Sequence, residues 1–338
     1  ALHALGELRW RSGRLDEARE EFETSLGLAR QVSDVKGQAL LLRNIGRLHR
    51  DQAQMEVARS YFRQALILAT DVNSVRDQGR ASHELGVLAF DQGAVAEAQT
   101  RFSEALDAAR KTNNRRDEGS ALVRLGCIFH LRGDLGEADH LYRQGLALYV
   151  DTQDRLACGW ALRMLANLLL DLGEVEEAQR LCMEAIEIAK TAGDQRNEGQ
   201  CLTLLARLSL ARGSCIEALA DCDRALALAR FVGNRRNEAT ISAVRGEIAA
   251  EQGQRDEAIG YYQQAVGILR DVKDHISIGP VSLRYASLLH KYKGDATAAR
   301  SVLQVALSLC PTEALGIVQS LKEALTELEL GGENERRM

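Results

Sequence analysis

The chain has 338 residues, 46% of them hydrophobic, 27% charged and 4% aromatic, with a net charge of −5. That much apolar material excludes a disordered chain, and the acidic balance speaks against a general nucleic-acid binder. No apolar run approaches the roughly 20 residues that would cross a bilayer, so a soluble, cytoplasmic protein is expected.

In chain order the dominant signal is a period of 40 residues, which has to be sought before any local reading because it decides the whole fold. A small residue recurs at Gly6, Gly46, Gly86, Gly126, Ala166, Ala206, Gly246 and Ala286. Twelve positions after each comes alanine: Ala18, Ala58, Ala98, Ala138, Ala178, Ala218, Ala258 and Ala298. Four further on stands a larger apolar residue: Phe22, Phe62, Phe102, Tyr142, Cys182, Cys222, Tyr262 and Val302. A turn glycine falls between the first two columns at Gly13, Gly93, Gly133, Gly173, Gly213 and Gly253; the second unit has Ala53 there, and the eighth has Gly294, one residue late.

These columns describe two antiparallel helices, A and B, per unit. The small residues mark where the helices approach most closely, and the larger residue fills the space between neighbours. The glycine gives helix A a left-handed end. Glutamates such as Glu17 and Glu97 open helix B and basic residues such as Arg30 and Arg110 close it, as the helix dipole favours. Asp34, Asn114, Asp154, Asp194, Asn234 and Asp274 precede the next helix A as capping residues. The units span about 1–33, 34–73, 74–113, 114–153, 154–193, 194–233, 234–273 and 274–310. Pro311 then opens a capping helix, 311–330, which Gly331-Gly332 stops before a polar tail, 331–338. Ala1 sits inside an apolar helical pattern without an initiator Met, which reads as a piece of a larger protein.

Leu5-Gly6, Leu85-Gly86 and Leu125-Gly126, each followed by the alanine and the aromatic position, resemble the tetratricopeptide repeat over essentially the whole chain. The usual unit of that family has 34 residues; the six extra are expected to lengthen helix B and the inter-repeat loop. The family's first-helix Trp and its proline after helix B are missing. The resemblance implies an all-α, right-handed superhelical solenoid of eight repeats, seven to eight to the turn, with a concave channel lined by A helices. Long units of this kind look like those in the sensor regions of large bacterial signalling ATPases and transcription activators, including the maltose-regulon activator type. An animal spindle-orientation adaptor is also similar, but its repeated Gly-Asn pair is matched here only at Asn167.

Helical register then selects the groove: residues three before, one after and four after the small residue, with one turn earlier. This gives Arg43, Arg47, Arg50, Arg80, His83, Phe90, His130, Trp160, Arg163, Asn167 and Arg207 as candidate ligand- or partner-binding residues, with Trp10 beside them. Guanidinium groups on a concave wall suit carboxylates or phosphates, so a protein or peptide partner of acidic character is expected. The alternative for these arginines is pairing with Asp51, Asp91 and Asp171. No phosphate loop, H-E-x-x-H or nucleophile elbow is present, and no Cys/His pair has metal-ligand spacing. The seven cysteines lack any C-x-x-C and read as reduced core thiols. A non-catalytic module without cofactor is therefore expected, regulating attached domains of a larger protein. Two further readings are a small-molecule sensor controlling an ATPase or DNA-binding domain, and a passive scaffold. Arg115-Arg116 and Arg235-Arg236 read as solvated loop charges.

Overall fold

The computed structural model describes residues 2–52, 54–312 and 314–337; Ala1, Ala53 and Met338 therefore lie outside the described residues. Seventeen helices and no strand occur among them. They run α1 (Leu2–Arg11), α2 (Leu15–Gln31), α3 (Val35–Asp51), α4 (Met55–Asp71), α5 (Val75–Asp91), α6 (Val95–Lys111), α7 (Arg115–Arg132), α8 (Leu135–Asp151) and α9 (Arg155–Asp171). The second half comprises α10 (Val175–Ala192), α11 (Gln195–Ala211), α12 (Cys215–Phe231), α13 (Arg235–Glu251), α14 (Arg255–Asp271), α15 (Ile278–Lys293), α16 (Ala296–Leu309) and α17 (Leu315–Arg337). Each odd helix packs on the even helix that follows, and successive pairs stack into a right-handed superhelical solenoid closed by α17.

Both helices are 17 residues long in the second, third, sixth and seventh units, and both kinds of connection are short up to α14. Against the expectation that helix B and the inter-repeat loop take up the extra residues, the two helices lengthen alike, and among the inter-repeat connections only 272–277 before α15 is longer than the turn within a unit. Within units, Gly13, Gly93 and their equivalents take the left-handed turn; between units Ser33, Asn73, Asn113, Gln153 and Lys273 take it without glycine's freedom. Asp34, Asp154 and Asp194 then cap the next helix by accepting from the backbone N–H three residues on, at 2.9, 3.2 and 3.0 Å.

The small and large columns compensate each other. A Cβ on Gly46 would lie 2.5 Å from the Phe62 ring, and one on Gly126 2.7 Å from Tyr142. In the fifth, sixth and eighth units the small residue is alanine, and its register partner shrinks to Cys182, Cys222 or Val302. Phe22, Phe62 and Phe102 are fully buried by this arrangement. A second small column, Gly79, Gly119, Gly159 and Gly199, lets the same helix pairs touch two turns earlier.

Two further expectations are corrected. The helix α17 runs on through Gly331 and Gly332 to Arg337, so that pair does not end it before a non-helical tail; a glycine weakens a helix interior by about 1 kcal/mol but stops a helix only in a left-handed turn. The superhelix also turns more tightly than seven to eight repeats. The turns of the first three units meet the loops before the sixth to eighth units. Arg196 lies 3.5 Å from Asp51, Arg236 3.0 Å from Asp91, and Gly93 is backed by His275. Contacts between the second and sixth units, and the third and seventh, close one turn within four to five repeats. Ion pairs draw this seam together, and small residues fit it: a side chain at Gly93 would collide with His275 and Pro311.

Candidate ligand-binding channel

The tight turn folds the groove back on itself into a channel that stays half-open to solvent. Its cavity has a volume of about 850 Å³, walled by α3, α5, α7, α9 and α11 and the loop before α13. Eleven arginines and six carboxylates face it, a net charge of +5 inside a chain whose net charge is −5.

Of the candidate residues, Arg43, Arg47, Arg50, Arg80, His83, Trp160 and Arg163 line this cavity. Phe90, His130, Asn167 and Arg207 do not. Three of these four gather further along the inner face. His130 meets Asp171 at 2.9 Å, and Arg207 donates to Asn167 at 2.7 Å while lying 3.5 Å from Asp171. Burial pushes the Asp171 carboxyl up, but the hydrogen bond from His130 and the charge of Arg207 outweigh it and hold it below its ordinary range. Phe90 packs into the hydrophobic core with Val87, Phe102 and Ile128.

Most channel arginines are already paired. Arg47 and Arg50 share Glu84 at 3.7 and 3.5 Å, and Arg50 also faces Asp51 and Asp91. Burial alone lowers the Arg50 pKa, yet those three carboxylates raise it above the ordinary value. Arg80 donates to Asp117 at 2.7 Å. Trp10 donates its indole N–H to Asp51 at 2.9 Å and carries the Arg47 guanidinium 4.2 Å above its ring.

Three arginines of the wall have no carboxylate within ion-pair distance among the described residues: Arg43, Arg124 and Arg163. The Nε–H groups of Arg43 and Arg124 are buried without an acceptor. Burial lowers the Arg43 pKa to about 10, with Glu84 opposing and Arg80 and Arg47 adding to the shift. Arg124 lies 4.6 Å over the Trp160 ring. Arg163 donates only to the Asn197 side-chain carbonyl, at 3.1 Å. Between the third and fourth units, His83 shares a hydrogen bond with Ser120 at 3.0 Å, and burial lowers its pKa to about 4. The wall is thus cationic through arginine alone at neutral pH.

Glu84, Asp117, Arg124, Arg196 and Arg236 escaped the sequence reading. Glu84 and Arg124 were accessible to the same 40-residue register, standing with Asn44 two residues before the small position on the inner face, and Asp117 stands nine before it. Arg196 and Arg236 reach the channel across the seam, for which no local signal exists. Arg236, expected to be a solvated loop charge, is held between Asp91 and Asp274. Arg115 and Arg116 are exposed and paired with Asp151 and Asp154.

A family model described as the MalT-like TPR region matches residues 73–245, and two tetratricopeptide-repeat models match residues 1–71 and 246–276. No curated protein sequence matches the chain. Among solved structures, it is similar to the Rap conjugation gene regulator of plasmid pLS20 in complex with the Phr* peptide. There the TM-score is 0.68 at 17% identity, over 88% of this chain and 79% of the other. A Rap protein complexed with competence and sporulation factor gives 0.60 at 12% identity, over 98% and 97%. A signal transduction ATPase with numerous domains from Pyrococcus horikoshii, which carries a tetratricopeptide repeat sensor, gives 0.55 at 12% identity, over 92% of this chain and 49% of that one. These likenesses are of fold.

Proposed function

From the premise that this chain belongs to the MalT-like TPR family, whose model covers half of it, we propose that it is a non-catalytic effector- or partner-sensing module of a larger cytoplasmic regulator. It takes a peptide or partner segment of acidic character into the superhelical channel. The observation that carries this reading is the net charge of +5 on the channel wall within an acidic chain. Such a reversal of sign on a concave wall raises the local concentration of anionic guests and rejects cationic ones. The similarity of fold to a Rap regulator bound to a peptide and to an ATPase with a tetratricopeptide sensor supports it.

A small anionic effector is the second reading, favoured by the cavity's 850 Å³, which falls within the usual range of about 300–1,000 Å³ for small-ligand sites. A random-decapeptide display selection tests the first. The expected binders are enriched in Asp and Glu and lose at least tenfold in affinity to the Trp160→Ala chain. Binders that are basic, or that are indifferent to Trp160→Ala and to Arg124→Glu, would overturn it.

A further inference from the structure

The arginines of the channel divide into two sets. In the early units the inner face is built as a ladder in which an arginine of one repeat meets a carboxylate of the next. Arg80 on α5 reaches Asp117 on α7, and Arg50 on α3 reaches Glu84 on α5. The carboxylate at the Asp117 position, nine residues before the small residue, then disappears along the chain. It is Asp77 and Asp117 in the third and fourth units, but Ala157, Asn197 and Asn237 in the next three. Arginines remain on this wall at other register positions, Arg124 two and Arg163 three residues before the small residue. Arg124 therefore finds only the face of Trp160, and Arg163 only the amide of Asn197.

Each of these cations is half-buried in the cavity wall, and desolvating an unpaired charge is expensive unless a counter-charge arrives. The Arg124 Nε–H, buried without an acceptor, adds an unmet donor in the same place. The flat guanidinium fork matches a carboxylate in two-point geometry, and Trp160 offers an apolar plane beside it.

Resting on the channel reading above, we propose that Arg124, Arg163 and Trp160 form the subsite that receives a carboxylate of the guest peptide. The guest's acid supplies the rung that Ala157 and Asn197 leave vacant. Arg50, Arg80 and Arg236, by contrast, serve the protein's own carboxylates and fix the superhelix. A side-chain carboxylate and a peptide C-terminus share this chemistry.

The test uses calorimetry with three probes: acetyl-hexaglutamate amide, acetyl-hexaglutamine amide, and acetyl-hexaglutamine with a free C-terminus. Arg124→Gln, Arg163→Gln and Arg80→Gln remove the same unit of charge from the same wall, and thermal melts by circular dichroism establish that each variant folds. Hexaglutamate is expected to bind the wild-type chain at least tenfold more tightly than the amidated hexaglutamine. Arg124→Gln and Arg163→Gln should each weaken it at least fivefold, and Arg80→Gln less than twofold. Binding of the free-acid hexaglutamine but not its amide would assign the subsite to the C-terminus; binding of the capped hexaglutamate assigns it to side chains. Equal losses in all three variants would mean that only summed charge matters and would overturn the subsite. So would failure of the wild-type chain to bind either acidic probe. In that event, display-selected acidic peptides that tolerate Arg124→Gln and Arg163→Gln but are weakened by charge reversal at Arg124 keep the channel reading standing without the subsite.

Discussion

Arg236 donates to Asp91, 145 residues earlier in the chain, at 3.0 Å, and meets Asp274 at 2.9 Å with its Nε. One guanidinium therefore joins the third, seventh and eighth units across the superhelical seam. Asp274 is 2% exposed and also accepts from the backbone of Ile276 and Ser277, so it keeps partners when the arginine is lost. Arg236→Gln should then reduce stability by about 1–3 kcal/mol while leaving helix content unchanged. Its signature is an increase in radius of gyration by small-angle scattering, because the seam loses its tie. An unchanged radius would show that the helix stack alone sets the pitch.

The paired columns of small and large residues predict a non-additive result. Gly46→Ala places a methyl 2.5 Å from the buried Phe62 ring, and overpacking of this kind costs about 1–3 kcal/mol. The chain itself shows the compatible combination, Ala206 with Cys222 and Ala166 with Cys182. In a double-mutant cycle, Gly46→Ala combined with Phe62→Cys should lose less stability than the two single losses summed, read from urea midpoints. Simple additivity would refute the assigned contact.

The fold was legible because each unit repeats the same steric demand, and eight copies of Gly/Ala, Ala and a larger apolar residue at fixed spacing leave one helical register. That register also placed Arg43, Arg47, Arg50, Arg80, His83, Trp160 and Arg163 on the inner wall. It could not report the superhelical pitch, because the pitch depends on contacts such as Arg196 with Asp51, four units apart and silent in any local window. For the same reason the wall's cations could not be sorted into paired and unpaired. His130, Asn167 and Arg207 share the predicted face yet form their own cluster with Asp171.

Arg43 should be a destabilising residue of the channel wall. Its Nε–H is buried without an acceptor, and burial lowers its pKa to about 10. Removing an unpaired, poorly solvated cation while keeping its aliphatic stem is expected to stabilise a fold by about 1 kcal/mol. Arg43→Met should therefore raise the melting temperature in the absence of ligand. A fall would mean that long-range attraction to Glu84 outweighs the burial of the charge.

His83 predicts how acid acts on the chain. Its pKa is about 4 in the folded protein against an ordinary 6.5, because burial disfavours the imidazolium more than Glu84 favours it; Arg124 pushes further the same way. Asp117 and Arg47 also face it, raising and lowering its pKa respectively, and Ser120 holds its ring. Between pH 6.5 and 4 the unfolded chain carries this proton and the folded chain does not, so stability falls as the pH drops through that window and the effect vanishes above it. Each unit of separation is worth about 1.4 kcal/mol. His83→Gln can keep the hydrogen bond to Ser120 without titrating. The variant should therefore lose less stability than the wild-type chain between pH 7.5 and pH 4.5, measured by urea unfolding in matched ionic strength. Carboxylates elsewhere titrate identically in both chains and cancel in the difference. Parallel curves for the two proteins would show that His83 titrates near its ordinary value, and the wall would then gain a cation on mild acidification instead of staying at constant charge.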